Sequence, residues 1–153
     1  MVLKSRLPQW AWVAISIAVV AVCDVLNFSD MTWGNGSVSS FVVSLAYVLI
    51  WAALVFINRY NGKYLALFTV FSLICVVTGL LGLGLSSEII SNEVLRAIGM
   101  VGVTLFLTPL YGFRFVINNG DLVLLYTAII LLSAIGIVFG FLLARNAKRA
   151  TLA

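Results

Sequence analysis

The residues of this chain that could carry chemistry are few, and the foremost is an acidic residue inside an apolar stretch. Asp24 lies close to the end of the apolar run that extends from about Gln9 to Phe28. A charged side chain within a bilayer is unfavourable, so such a residue is usually paired or functional. Two interpretations stay open: a buried carboxyl that carries a proton or binds a cation, and an interfacial residue where the first helix ends.

A second candidate group begins the fourth apolar run. Glu93 and Arg96 are three residues apart, a spacing that suits an ion pair on one helix at the membrane surface. Arg96 could instead pair with Asp24, because the two residues are expected near the same membrane face. The sequence therefore leaves a surface role and an intramembrane role open for Arg96.

The same run contains Pro109, which removes one backbone donor and predicts a kinked helix. Thr104 and Thr108 lie one turn apart and can bond the backbone groups that the proline frees. The kink is either a static feature or a gating hinge. Together with Asp24 and Arg96, these residues form the candidate intramembrane polar site.

Composition limits the function classes. The chain has 153 residues, of which 63% are hydrophobic and 9% are charged, and it contains no histidine. Soluble domains carry about 25% charged residues, so this composition predicts an integral membrane protein and excludes disorder. With no histidine and two isolated cysteines, the residues for a His-based metal site, a Ser-His-Asp triad or a Cys-x-x-Cys pair are missing. We expect no enzymatic activity, no cofactor and no metal.

The elements that must position these residues are helices. A helix needs roughly 20 apolar residues to cross about 30 Å of hydrocarbon, and five runs reach that length. The sequence predicts an all-α, polytopic membrane bundle in a single transmembrane domain, with short connections that make neighbouring helices antiparallel. Ser91 or Asn92 can cap the fourth helix, and Asp121 the fifth. The predicted spans are residues 9–28, 39–57, 64–85, 94–115 and 122–144.

The first run has a competing interpretation as a cleaved signal peptide. Lys4 and Arg6 precede it like the basic region of a signal, and the residues up to Cys23 loosely imitate a cleavage site. In that case four spans remain.

Small residues recur at spacings of three and four along most spans. Such residues allow close helix packing in lipid, where burial alone does not drive association. The set is interpreted as the core of the bundle, with one alternative: the Gly-x-x-x-Gly pair of the fifth helix binds a second chain. The residues are Ala14, Ala18, Gly79, Gly82, Gly99, Gly102, Gly136 and Gly140.

The basic residues favour one orientation of the chain in the membrane only narrowly. Five spans put the two termini on opposite sides of the membrane, and positive residues mark the cytoplasmic side. Five basic residues fall on the N-terminal side and four on the other, which favours a cytoplasmic N-terminus. Contact with anionic lipid headgroups is a second role for several of them. The first group is Lys4, Arg6, Arg59, Lys63 and Arg114, and the second is Arg96, Arg145, Lys148 and Arg149.

Two functional classes follow. The first is a small non-catalytic membrane protein that acts through helix–helix association, as a homo-oligomer or as a subunit of a larger membrane complex. The alternative is an oligomeric transporter or channel for a small solute or ion, which uses Asp24 and the kinked fourth helix. The expected partners are the lipid bilayer and another membrane protein or a second copy. Nucleic acid is not expected, because the net charge is only +4. The small size favours a bacterial inner membrane.

Overall fold

The computed structural model of the chain describes residues 7–34, 36–117 and 121–150. Within these ranges the chain folds into helices without a strand, and five segments are long and apolar enough to cross a membrane. The predicted all-α membrane bundle is therefore confirmed. The helices are α1 (Gln9–Trp33), α2 (Val38–Ile57), α3 (Gly62–Ser86), α4 (Glu93–Leu107), which continues into a 3₁₀ segment (Thr108–Phe115), and α5 (Leu122–Ala150).

Side-chain caps begin most of these helices. Asn92 accepts hydrogen bonds from the first turn of α4, and the Asp121 carboxylate accepts one from the Leu124 N–H at 3.1 Å. Both belong to the predicted caps, and both satisfy N–H groups that have no partner inside the helix. Asn61 caps α3 in the same way.

α1 is longer than predicted, and hydrogen bonds across the turn between α1 and α2 accompany its additional residues. Asp30 accepts hydrogen bonds from the backbone N–H and the hydroxyl of Ser37, which is the N-cap residue of α2. Gly34 is the C-cap residue of α1, and its φ of 70° is a left-handed conformation that suits glycine. The helix therefore ends at Trp33 instead of near Phe28, because its last polar residues bond the beginning of the next helix.

α3 and α5 pack side by side in opposite directions. A Cβ atom on Gly82, late in α3, would lie 2.8 Å from a ring carbon of Tyr126, early in α5. A Cβ atom on Gly140, late in α5, would lie 2.8 Å from the hydroxyl of Thr69, early in α3. α5 therefore ends beside the beginning of α3.

α1 runs parallel to α3. The hydroxyls of Ser16 and Tyr64, in the first parts of these two helices, lie 2.9 Å apart. We call the end of the bundle where α1 and α3 begin the amino-terminal end, and the other end the opposite end. The described residues of α5 finish at the amino-terminal end. The first residues of α1 and the last described residues of α5 thus lie at the same end of the bundle, whereas five crossings in alternating directions would place them at opposite ends.

The path of the fourth segment explains this difference. α4 begins at the opposite end and descends along α3: Gly99 faces Leu85, Gly102 faces Thr78, and the ring of Phe106 lies 6.2 Å from that of Phe71. It ends near the middle of α3.

The 3₁₀ segment then returns to the end from which α4 came. The Gly112 N–H donates to the Ser44 hydroxyl at 3.0 Å, and a Cβ atom on Gly36 would lie 2.5 Å from the Phe115 nitrogen. Gly36 lies two residues before α2, at the opposite end of the bundle. The predicted kink at Pro109 is thus a reversal of chain direction.

Candidate functional site

Asp24 lies in the middle of α1, nine residues before its last residue, Trp33. At 1.5 Å per residue this is about 13 Å from the helix end, so the structure favours the buried interpretation over the interfacial one. The residue is half-buried, and its Oδ1 atom is fully buried without a hydrogen-bond partner among the described residues. The carboxyl therefore has an unused acceptor within an apolar span.

This carboxyl faces a groove of about 420 Å³ between α1, α3 and α4. The groove exists because α4 ends at Leu107, halfway along α3, and leaves the space between the first halves of α1 and α3 unfilled. Its walls are partly exposed at Ile17, Leu67 and Leu105, so it opens on the surface of the bundle. The lining residues are Val13, Ser16, Ile17, Val20, Ala21, Asp24, Trp51, Leu67, Phe71, Leu105 and Phe106.

Trp51 and Phe71 form part of the groove wall. The Trp51 indole stacks on the Phe71 ring with centroids 5.0 Å apart. An apolar groove with one carboxyl on its wall suits a helix that carries a single polar side chain.

The structure does not bring Arg96 to Asp24. Arg96 is exposed in the first turn of α4, nine residues before Leu105, which is an α4 residue of the groove wall. The separation along α4 is about 13 Å. The pairing proposed from sequence therefore finds no support in this arrangement, and the surface role of Arg96 is favoured.

Thr108 and Pro109 belong to a polar cluster around Asn27, whose own Oδ1 atom is buried without a hydrogen-bond partner among the described residues. The Asn27 amide nitrogen lies 3.0 Å from the Ser44 hydroxyl, 3.2 Å from the Thr108 carbonyl oxygen and 3.1 Å from the Pro109 carbonyl oxygen. The Ser44 hydroxyl also donates to the Pro109 carbonyl at 2.7 Å. Asn27 is fully buried. These contacts hold the reversal at Pro109 against α1 and α2.

The Thr108 hydroxyl donates to the Thr104 carbonyl and the Thr104 hydroxyl donates to the Met100 carbonyl, so each threonine bonds the backbone one turn earlier. Asn27 and Ser44 were missed as candidate residues. The signal that could have found Asn27 is its amide inside the first apolar run, three residues after Asp24. Within the described residues, no three His, Cys, Asp or Glu side chains lie together to hold a metal, and Cys23 and Cys75 are free buried thiols.

The glycines at helix spacing pack inside this chain. Gly79, Gly82, Gly99 and Gly102 face side chains of neighbouring helices. These contacts agree with their interpretation as bundle core.

The alternative for the fifth helix, binding of a second chain, is disfavoured. A Cβ atom on Gly136 would lie 3.2 Å from the Ser72 hydroxyl, and Gly140 faces Thr69, so both glycines pack against α3. Ala14 and Ala18 are exposed instead of packed. They lie on the face of α1 beside the groove, because Ala21, one turn further along, lines it.

The basic residues divide differently from the prediction. Arg114 lies at the opposite end, where its guanidinium bonds the Tyr111 hydroxyl and approaches Gly34, and so it does not join Arg59 and Lys63. The reason is the reversal after α4. Arg59 covers the Phe56 ring at 4.3 Å, at the amino-terminal end. Arg145, Lys148 and Arg149 belong to the last turns of α5 at that same end, and Lys4 and Arg6 lie outside the described residues.

Searches for similar proteins found no matching family, no matching curated protein and no matching solved structure. The fold itself defines the class: an all-α bundle of helices that are long and apolar enough to cross a membrane.

Proposed function

We propose that this chain is a small non-catalytic membrane protein whose groove binds a transmembrane helix of a different membrane protein. The observation that carries the proposal is Asp24 on the wall of an otherwise apolar groove, with a carboxyl oxygen that has no hydrogen-bond partner among the described residues. Acyl chains of lipid could fill the groove, but they offer no hydrogen-bond donor to Asp24. A protein helix can supply both the apolar surface and the donor.

The shape of the groove fits a helix. The α1 residues that line it extend from Val13 to Asp24, about 16 Å or three helical turns. The exposed Ala14 and Ala18 border it, and small residues of this kind allow a second backbone to approach closely.

Charge selects the kind of partner. Among the residues that the structure describes, no lysine or arginine lines the groove. An intramembrane carboxyl is commonly paired with a basic group, so the partner helix is proposed to carry a Lys or Arg at the depth of Asp24. The glycines of α5 are already used inside the chain, which disfavours a second copy as the occupant.

Site-specific photocrosslinking in native membranes tests the proposal. A benzophenone amino acid replaces Leu67 on the groove wall or, as a matched control, Leu131, which is 60% exposed on α5. The Leu67 position is expected to give one discrete adduct with a membrane protein, and the Leu131 position to give none. The partner helix is then identified from the adduct.

Variants of Asp24 test the polar contact itself. Loss of one partner from a buried ion pair is worth about 3–5 kcal/mol, so Asp24→Leu should reduce the adduct more than 100-fold. Asp121→Asn, at an exposed carboxyl outside the groove, should leave it unchanged. Asp24→Lys combined with Asp in place of the partner's basic residue should restore it. An adduct that survives Asp24→Leu, or equal adducts from Leu67 and Leu131, would contradict the proposal.

The second candidate function is transport of a small solute or ion by an oligomer. Asp24 favours transport, and so does the end of α4 near the middle of α3. The cluster around Asn27 disfavours it, because the Thr108 and Pro109 carbonyls accept hydrogen bonds from Asn27 and Ser44. Solute flux across liposomes that contain only this protein, lost in Asp24→Asn, would support transport over helix binding.

The membrane is proposed to be a bacterial inner membrane with a cytoplasmic N-terminus. The small size of the chain supports the first statement, and the distribution of basic residues supports the second. Cell fractionation tests the first statement.

A further inference from the structure

We propose that Glu93–Phe115 is a re-entrant hairpin, which enters and leaves the membrane through the same face. The chain then crosses the membrane four times, and both termini lie in the cytoplasm. This inference concerns the topology of the chain and does not depend on what occupies the groove.

The length of α4 is the first argument. α4 has 15 residues and is about 22 Å long, which is shorter than the roughly 30 Å of hydrocarbon. The segment reaches a span-like length only if the 3₁₀ residues continue in the same direction. They do not, because Phe115 approaches Gly36 at the opposite end, where α4 began.

The second argument is the way in which the return path is held. Backbone that is not α-helical is tolerated at membrane depth where protein buries it. Residues 108–112 of the 3₁₀ segment are all buried. Asn27 and Ser44 bond the carbonyl of Pro109, and Ser44 accepts the N–H of Gly112. The hairpin is thus enclosed by α1 and α2.

The direction of α5 is the third argument. The connection between Phe115 and Leu122 is short, and α5 begins beside the end of α3, at the opposite end of the bundle. Four full crossings by α1, α2, α3 and α5 return the chain to the amino-terminal end.

Charge distribution supports the same topology independently of the contacts. With a hairpin, seven of the nine basic residues collect on one side, whereas five crossings divide them five to four. The positive-inside rule then assigns that side to the cytoplasm, because seven basic residues lie there against two on the other side. The seven are Lys4, Arg6, Arg59, Lys63, Arg145, Lys148 and Arg149, and the other two are Arg96 and Arg114.

Cysteine accessibility in the full-length protein tests the inference. Cys23 and Cys75 are first replaced by Ala, and single cysteines are introduced at Asn61, Val116 or Arg145. Intact cells are treated with a membrane-impermeant maleimide before and after permeabilisation. The hairpin predicts that Val116→Cys reacts in intact cells, whereas Asn61→Cys and Arg145→Cys react only after permeabilisation.

Five crossings predict a different pattern. Val116→Cys would then react only after permeabilisation, together with Asn61→Cys, and Arg145→Cys would react in intact cells. That result would overturn the inference. Reaction of Val116→Cys from both sides, or the complete inverse of the expected pattern, would overturn the assigned orientation. A Ser87→Cys variant, at the end of α3, provides the matched external reference for Val116→Cys.

Discussion

Gly112 lies where the returning 3₁₀ segment touches α2, and Gly112→Ala perturbs that contact directly. A Cβ atom at this position would lie 2.6 Å from the Phe41 nitrogen and closer still to the Ser40 carbonyl group. Both neighbours are backbone atoms near the start of α2. No change of side-chain rotamer can make room, so the two backbones must separate.

The size of the effect follows from the geometry. Non-bonded heavy atoms prefer about 3.5 Å or more, so the contact with Phe41 must lengthen by on the order of 1 Å. Overpacking a close contact costs typically about 1–3 kcal/mol, and the absence of a movable side chain puts Gly112→Ala at the upper limit. At about 2–4 °C per kcal/mol for a chain of this size, the melting temperature should fall by about 6–12 °C.

Thermal unfolding in mild detergent measures this effect. Cys23 and Cys75 are buried free thiols, so a maleimide dye that fluoresces on reaction reports their exposure as the protein unfolds. Gly62→Ala is the matched control, because a Cβ atom on Gly62 meets nothing within 4 Å. If Gly112→Ala melts at the temperature of the wild-type chain, the close approach of the 3₁₀ segment to α2 is refuted.

Three further outcomes are expected in the same assay. Asn27→Leu removes the donor to the Thr108 carbonyl and should destabilise the chain by about 1–2 kcal/mol, since hydrogen bonds between membrane helices contribute roughly 0.6–1.7 kcal/mol each. Gly140→Ile places a large side chain against Thr69 and should lower the melting temperature without changing the mass of the detergent particle. A changed mass at an unchanged melting temperature would indicate an interface between copies. Ser37→Ala removes the cap of α2 and should destabilise by about 1 kcal/mol; an unchanged melting curve would mean that this cap adds nothing.

Local sequence patterns predicted much of the fold. The apolar runs identified the helical segments, Asn92 and Asp121 identified two caps, and the spacing of Gly79 and Gly82 identified a packed face. Each of these features depends on residues within a few turns of one another. The bond between the Thr108 hydroxyl and the Thr104 carbonyl is equally local, because it joins residues one helical turn apart.

The candidate site was predicted only in part. Asp24 was recognised, but its depth was not, because the end of α1 depends on the bonds between Asp30 and Ser37 across a turn. Asn27 was missed because its partners, the carbonyls of Thr108 and Pro109, are some eighty residues away in the chain.

The sequence by itself determined that this protein is solvated by lipid and that its apolar segments are helical, because composition and run length leave no other state with satisfied backbone groups. Only the tertiary structure decided which way the chain runs after Leu107. Pro109 ends the α-helix, but contacts with Asn27, Ser44 and Gly36 select the returning path. That choice fixes the position of Arg114, the groove below α4 and the end of the bundle at which α5 finishes.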